Sequence, residues 1–207
     1  MKLILASASP RRKELLESCG IKFTIVKSDV NEALPDSISP ENAVMTLAER
    51  KAAAVLSEYN DVNRIILGAD TIVYQNSRII GKPRDRAEAF SVLRSLSGSR
   101  HSVYTGVALL SFYGNTNTIL KDIRYEKTDV FFRELTDDEI NEYIDNFPPY
   151  DKAGAYGIQD GAALFVRHID GDYNNVIGLP LYLLGEMLKK FKQKSENALQ
   201  AGDTRLL

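Results

Sequence analysis

Leu3-Ile-Leu-Ala-Ser-Ala-Ser-Pro-Arg-Arg12 is the stretch from which the fold can be read. Leu3 to Ala6 is an apolar run of buried-strand length. Ser9 is of the type that caps helix N-termini, and Pro10 suits a first helical position. Lys13 to Ser18 carries Leu15 and Leu16, and Cys19-Gly20 ends the element. Strand, serines and helix N-terminus therefore follow one another directly. That order points backbone N–H groups and the positive end of a helix dipole at one spot, which suits a phosphate. A capping box wants Glu or Gln three residues after the cap, but that position is Arg12, with Arg11 beside it. Each cation in a first helical turn costs about 0.3–1 kcal/mol unless an anion offsets it. Guanidinium forks match phosphate, although a solvated helix start is the competing reading. Arg12→Ala is accordingly expected to impair anion handling and to leave folding unharmed.

The 207 residues suit one large domain or two small ones, and 44% hydrophobic with 26% charged residues is the composition of a globular protein. A formal net charge of -2 provides no basic field for nucleic acid or an anionic membrane. The single cysteine, Cys19, excludes an internal disulfide and a cysteine-cluster metal site. His101 and His168 lack zinc-motif spacing and read as structural, so any metal is expected to be a hard cation on carboxylates and phosphate. Neither a signal peptide nor a membrane span is legible, and the expected location is the cytoplasm.

Phe23 to Val26 reads as a second strand, and Ser28 to Asp36, with Glu32 in it, as a loop. Ser39-Pro40 opens a helix to about Tyr59 whose apolar positions recur at helical spacing. Lys51 lies on or beside the apolar side of that helix, and either snorkels to the rim or reaches into a site. Ile65 to Leu67 and Ile72 to Tyr74 read as two buried strands interrupted by Asp70 and Thr71. A buried aspartate is costly unless it is paired or bound to metal.

Asn76-Ser77 is a turn, and Gly81-Lys82-Pro83 leads into a capped helix from Asp85 to Leu96. His101 to Ser111 and Thr118 to Arg133 form a hairpin turning at Gly114-Asn115. Thr136-Asp-Asp-Glu139 opens a further helix. Tyr150 to Gln159, with Asp151 and Lys152, reads as an exposed loop of the kind that carries function. Ala163 to Val166 is read as a strand, Ile169 to Asn175 as a turn, Leu181 to Phe191 as the last helix, and residues 192–207 as a frayed tail.

Ser7, Ser9, Arg11, Arg12, Glu32, Lys51, Asp70, Thr71, Lys82, Asp151, Lys152 and Gln159 are the candidate site residues. The cations match a polyphosphate, and the carboxylates match a divalent metal and a general base. There is no P-loop motif. From the residues alone the chain reads as a phosphate-handling, metal-dependent α/β enzyme.

Seven motifs in series resemble those of the Maf family, also called septum-formation-inhibitor-like proteins, which are nucleotide pyrophosphatases. They are Ala6-Ser-x-Ser-Pro-Arg-Arg12, Leu47-Ala-x-x-Lys51-Ala, Gly68-Ala-Asp-Thr71, Gly81-Lys-Pro83, Ser97-Gly98 with His101-x-Val-x-Thr-Gly106, Asp151-Lys-Ala-Gly-Ala-Tyr-Gly-Ile-Gln159, and Gly171-Asp-Tyr-x-Asn-Val-x-Gly-Leu-Pro180. Asp160 stands where the family often has Gly. The resemblance implies an elongated α/β fold like that of inosine triphosphate pyrophosphatases. It has a mixed sheet flanked by helices, two lobes around a cleft, and a single domain over residues 1–191. It implies hydrolysis of dTTP, UTP and modified pyrimidine nucleotides to monophosphate and pyrophosphate with Mg or Mn, in a homodimer. By motif position, Asp70 is the catalytic base and, with Glu32, serves the metal. Ser7, Ser9, Arg11, Arg12, Lys51, Lys82 and Lys152 bind substrate, while Arg12, Thr71 and Gln159 resemble the specificity set of the dTTP/UTP subgroup. The family's older name carries the alternative of a non-catalytic nucleotide-binding regulator of cell division.

Overall fold

The computed structural model describes residues 2–35, 37–59, 64–112 and 118–203, with 195–203 as backbone alone. Its strands are β1 (Lys2–Leu5), β2 (Phe23–Ile25), β3 (Arg64–Gln75), β4 (Arg78–Ile80), β5 (Arg100–Phe112), β6 (Ile119–Phe132) and β7 (Val166–Asp170). Its helices are α1 (Pro10–Ser18), α2 (Pro40–Leu56), α3 (Arg86–Leu96), α4 (Asp137–Asn146), α5 (Tyr173–Ile177) and α6 (Leu181–Asp203). The seven strands share one sheet, in the order β2-β1-β3-β5-β6-β7, with β4 paired to β3. β1 runs parallel to both neighbours and β3 antiparallel to β4, so the sheet is mixed. This is the α/β class expected from the sequence.

Two compact units divide the chain. One comprises Met1–Asp70, Gly106–Tyr125 and Gly178–Leu207, and the other comprises Thr71–Thr105 and Glu126–Ile177. In the first unit Leu3 pairs with Phe23 on one side and Ile65 on the other. Helix α2 covers one sheet face through a core of Ile4, Ala6, Ala48, Ala52, Val55, Leu56, Ile66, Ala108 and Leu110. In the second unit β3 turns into β4 through Asn76 and Ser77, both at positive φ (49° and 62°), the geometry of a tight two-residue hairpin. Thr136 and Glu139 complete both bonds of the capping box that starts α4. Aromatic rings fill this unit's core, with Phe132 4.9 Å from Tyr156 and 6.0 Å from Phe165.

Four local expectations change. β3 is one twelve-residue strand running straight through Asp70 and Thr71, where the sequence reads two. Residues 161–164 form a 3₁₀ turn, not a strand, because Asp160 caps them by accepting from Ala162 N at 3.3 Å. The strand begins at Val166 instead and takes in Ile169 and Asp170 of the expected Ile169 to Asn175 turn, while α5 takes in Tyr173 to Asn175. Helix α6 continues to Asp203, past Phe191, in a stretch whose Lys, Gln, Glu, Leu and Ala residues favour helix without any apolar period. The Gly114-Asn115 turn lies outside the described residues.

Candidate active site

In the first unit the site starts from two glycines. A Cβ on Gly68 would lie 2.1 Å from Ala48 O, and one on Gly106 would lie 2.2 Å from Val44 O. Helix α2 therefore rests directly on the backbone of β3 and β5. Side chains two apart on a strand share a face, so Asp70 points to the same side as the vacant Gly68 position. Lys51 stands one turn beyond Ala48 on the helix lying there. Its ammonium donates to Asp70 Oδ1 at 2.5 Å and lies 2.7 Å from Glu32 Oε1. Lys51 and Asp70 side chains are only 13% and 12% exposed, so Lys51 reaches into a site and does not snorkel. Arg50, the next residue back on α2, donates to Asn31 O at 3.0 Å and Ala33 O at 2.8 Å. Those two carbonyls flank Glu32, so the loop carrying it is clipped to the helix. Nothing in the spacing of Arg50 marks it for this role.

Ser7 and Arg12 are both buried. Ser7 Oγ accepts from Ser9 N at 3.2 Å and from Arg12 Nη1 at 3.1 Å, while Arg12 Nε donates to Gly178 O at 2.9 Å. Desolvation lowers the Arg12 guanidinium from its ordinary value; Asp70 and Glu32 oppose this, and Arg11 adds to it. Ser9 sits at the expected cap position, but its side chain makes no cap bond. Ser7, two residues earlier in the chain, organises the helix entry instead. The anchorage of Arg12 also runs against the expectation that its loss leaves folding unharmed, because two buried guanidinium bonds, to Gly178 O and Ser7 Oγ, would go with it.

The second unit carries the remaining candidates. Thr71 is half-buried and its hydroxyl lies 2.9 Å from that of Thr105. Lys82 is exposed after β4, and Gly154 N donates to Gly81 O at 3.1 Å, joining the Lys82 segment to the Lys152 segment. Lys152 Nζ pairs with Asp151 at 2.9 Å and Asp160 at 3.8 Å. Asp160 also accepts from Tyr143 Oη at 3.0 Å, and that oxygen accepts in turn from Gly157 N at 3.0 Å.

The expected exposed loop is largely interior. Residues 154–158 are buried, with Asp151 and Gln159 exposed on either side. The reason is Tyr156, which packs on Phe132 and meets His101 Nε2 at 2.8 Å through its hydroxyl. Burial lowers His101 to about 4, Asp129 opposing, so it is a neutral structural histidine at neutral pH.

Among the described residues no cluster of three or more His, Cys, Asp and Glu is built to hold a metal. Glu32 and Asp70 nevertheless converge on a single cation point, the one at which Lys51 Nζ stands. Two carboxylates completed by substrate phosphates are what Mg accepts, so the donor set fits such an ion.

Residues 2–191 match the family described as Maf-like protein. A dTTP/UTP pyrophosphatase of Bacillus cytotoxicus is 50% identical over 197 residues, covering 95% of this chain and 99% of its own. A dTTP/UTP pyrophosphatase of Bacillus cereus is 52% identical over 190 residues, covering 92% and 90%. The Ham1 protein structure of Staphylococcus aureus aligns over 64% of this chain and 72% of its own, at a TM-score of 0.39 and 11% identity, which adds nothing to the assignment.

Proposed function

The chain belongs to the Maf-like protein family, and we propose that it is a nucleoside triphosphate pyrophosphatase acting on dTTP and UTP. Modified pyrimidine triphosphates are included in its range. The observation carrying this reading is the Glu32–Lys51–Asp70 group, two carboxylates on one ammonium at 2.7 and 2.5 Å. A protein that only bound a polyphosphate would gain little from carboxylates there. The high identity to relatives named dTTP/UTP pyrophosphatase supports the substrate.

Asp70 orients a water molecule and takes its proton as the water oxygen attacks the α-phosphorus. The bond from the α-phosphorus to the α–β bridging oxygen breaks, and pyrophosphate leaves with the electron pair. Negative charge on the leaving group is met by Lys51, Arg11 and Arg12, with Ser7 and Ser9 as neutral donors. Lys82 and Lys152 supply the phosphate-binding charge of the second unit. Glu32 and Asp70 would hold a Mg or Mn ion, which when bound draws charge from the triphosphate oxygens. Thr71 and Gln159, with Arg12, read the base; a Gln amide both donates to and accepts from a uracil or thymine edge.

Residues 1–191 act as one functional domain in this reading, in a cytoplasmic homodimer. Among the described residues no helix is long and apolar enough to cross a membrane. A net charge of -2 disfavours nucleic acid as a partner. The test is a panel of canonical and modified triphosphates with Mg or Mn, resolving pyrophosphate from phosphate. Pyrophosphate and the monophosphate in equal amounts are expected. Phosphate as the main product overturns the reading, and tight binding without turnover returns the regulator.

A further inference from the structure

We infer that Arg50 is a positioning residue that holds the Glu32 carboxylate ready for a divalent cation, an inference that rests on the metal-dependent pyrophosphatase reading above. The two carboxylates of the site are supported very differently. Asp70 stands inside β3, and its side chain is 12% exposed. Glu32 lies in residues 26–35, which run without helix or strand, and its side chain is 56% exposed. A glutamate on such a loop has many rotamers and a movable backbone, and a metal that needs it must order both.

Adjacent residues of α2 hold Glu32 at two levels. Lys51 holds the side chain, with its ammonium 2.7 Å from Oε1. Arg50 holds the backbone. A single nitrogen, Nη1, donates to the carbonyls on both sides of Glu32, Asn31 O at 3.0 Å and Ala33 O at 2.8 Å. Asn31 Oδ1 accepts from Ala33 N at 2.8 Å, which closes an Asx turn around Glu32.

The two holds differ in what a cation does to them. The Lys51 ammonium stands at the point on which Glu32 and Asp70 converge. Its bond to Glu32 is therefore given up when a cation takes that point. The Arg50 bonds end on backbone carbonyls, compete with no ligand and persist. They also refer Glu32 to Asp70, because α2 rests on β3 at Gly68, two residues before Asp70. Removing a group that orients a metal ligand costs about 10–100-fold in metal affinity. Arg50 acts on one of two ligands and through its backbone, which puts the expected loss near about tenfold.

The experiment titrates Mn²⁺ into the protein with a UTP analogue whose α–β bridge is methylene, and reads the free ion by electron paramagnetic resonance against the analogue alone. The proteins are wild type, Arg50→Ala, Arg50→Lys, Asn31→Ala and Glu32→Gln. For each, the Mn²⁺ concentration giving half-maximal pyrophosphate release from UTP and a melting curve are also measured. Arg50→Ala is expected to raise both Mn²⁺ constants about tenfold, with turnover recovering at saturating Mn²⁺. Arg50→Lys keeps a donor and falls between. Asn31→Ala loosens the same turn from the loop side and moves the constants in the same direction. Alanine favours helix at position 50, so melting stays near that of the wild type.

A merely structural Arg50 would lower Tm, and would lower turnover at every Mn²⁺ concentration, with both constants unmoved; that result overturns the inference. Wild-type constants in Arg50→Ala, where Glu32→Gln binds Mn²⁺ weakly, refute the role of Arg50 and leave the metal reading standing. If Glu32→Gln binds as the wild type does, or the wild type binds no Mn²⁺ beyond the blank, Glu32 is no metal ligand, and the metal reading falls together with the inference. Should UTP release no pyrophosphate, the pyrophosphatase reading fails, and the directly measured Mn²⁺ constants still decide on Arg50.

Discussion

Gly68→Ala tests the link between the fold and the chemistry. The new Cβ would sit 2.1 Å from Ala48 O and 2.9 Å from Ala52 N and Cβ, at the centre of the contact between α2 and β3. An ordinary carbon–oxygen contact is about 3.3 Å or more, so the helix has to lift by about 1 Å. Two of the three obstructing atoms are backbone, and no rotamer change relieves them. Overpacking of this kind costs about 1–3 kcal/mol, and the absence of a side-chain escape puts this site near about 3. For a chain of this size, that lowers Tm by about 6–12 °C.

The lift also carries Lys51 away from Asp70, which it meets at 2.5 Å. Displacements of about 1 Å in a reacting group cost about a hundredfold in rate. Melting followed by circular dichroism and kcat/KM for UTP measure the two effects. Gly185→Ala is the control, since its Cβ meets nothing within 4 Å in α6, and it is expected to melt at or above the wild-type temperature. A Gly68→Ala protein with wild-type melting and wild-type turnover would refute the claim that the missing side chain sets the Lys51–Asp70 distance.

Three further outcomes are expected. Asp70→Asn keeps the shape but removes the base and one of the two carboxylates on Lys51, so turnover falls at least about a hundredfold while the protein still folds; steady-state pyrophosphate release checks this. Arg12→Ala removes the guanidinium bonds to Gly178 O and Ser7 Oγ, costing about 1–3 kcal/mol in urea unfolding as well as triphosphate affinity. His101 titrates near 4 when folded and near 6.5 when unfolded, so between those values the unfolded chain holds the extra proton. Stability from this group is complete above pH 6.5 and is lost as pH falls towards 4, by up to about 3 kcal/mol; urea unfolding across that range should show a slope that His101→Gln abolishes.

What the sequence determined by itself is local. The apolar run at Leu3, the Ser-Pro starts of α1 and α2, the Thr136 capping box and the Asn76-Ser77 turn depend on residues within four positions of one another, and short-range physics suffices to read them. Candidate chemistry was legible in the same way, because Asp70 and Thr71 are polar residues in an apolar run and Arg11 and Arg12 are cations at a helix start.

Direction and partnership were decided by tertiary structure. Lys51 and Asp70 are 19 residues apart, and whether Lys51 snorkels or pairs depends on how closely α2 approaches β3, which Gly68 and Gly106 govern. Asp70 looks like a strand break because an unpaired buried carboxylate would be one; the ammonium across the helix removes that cost and β3 continues through it. The 154–158 segment looks exposed from its glycines and is interior because Tyr156 docks on Phe132 and His101. Arg50 reads as any polar residue on a helix, and only its bonds to Asn31 O and Ala33 O show that it holds the loop carrying Glu32.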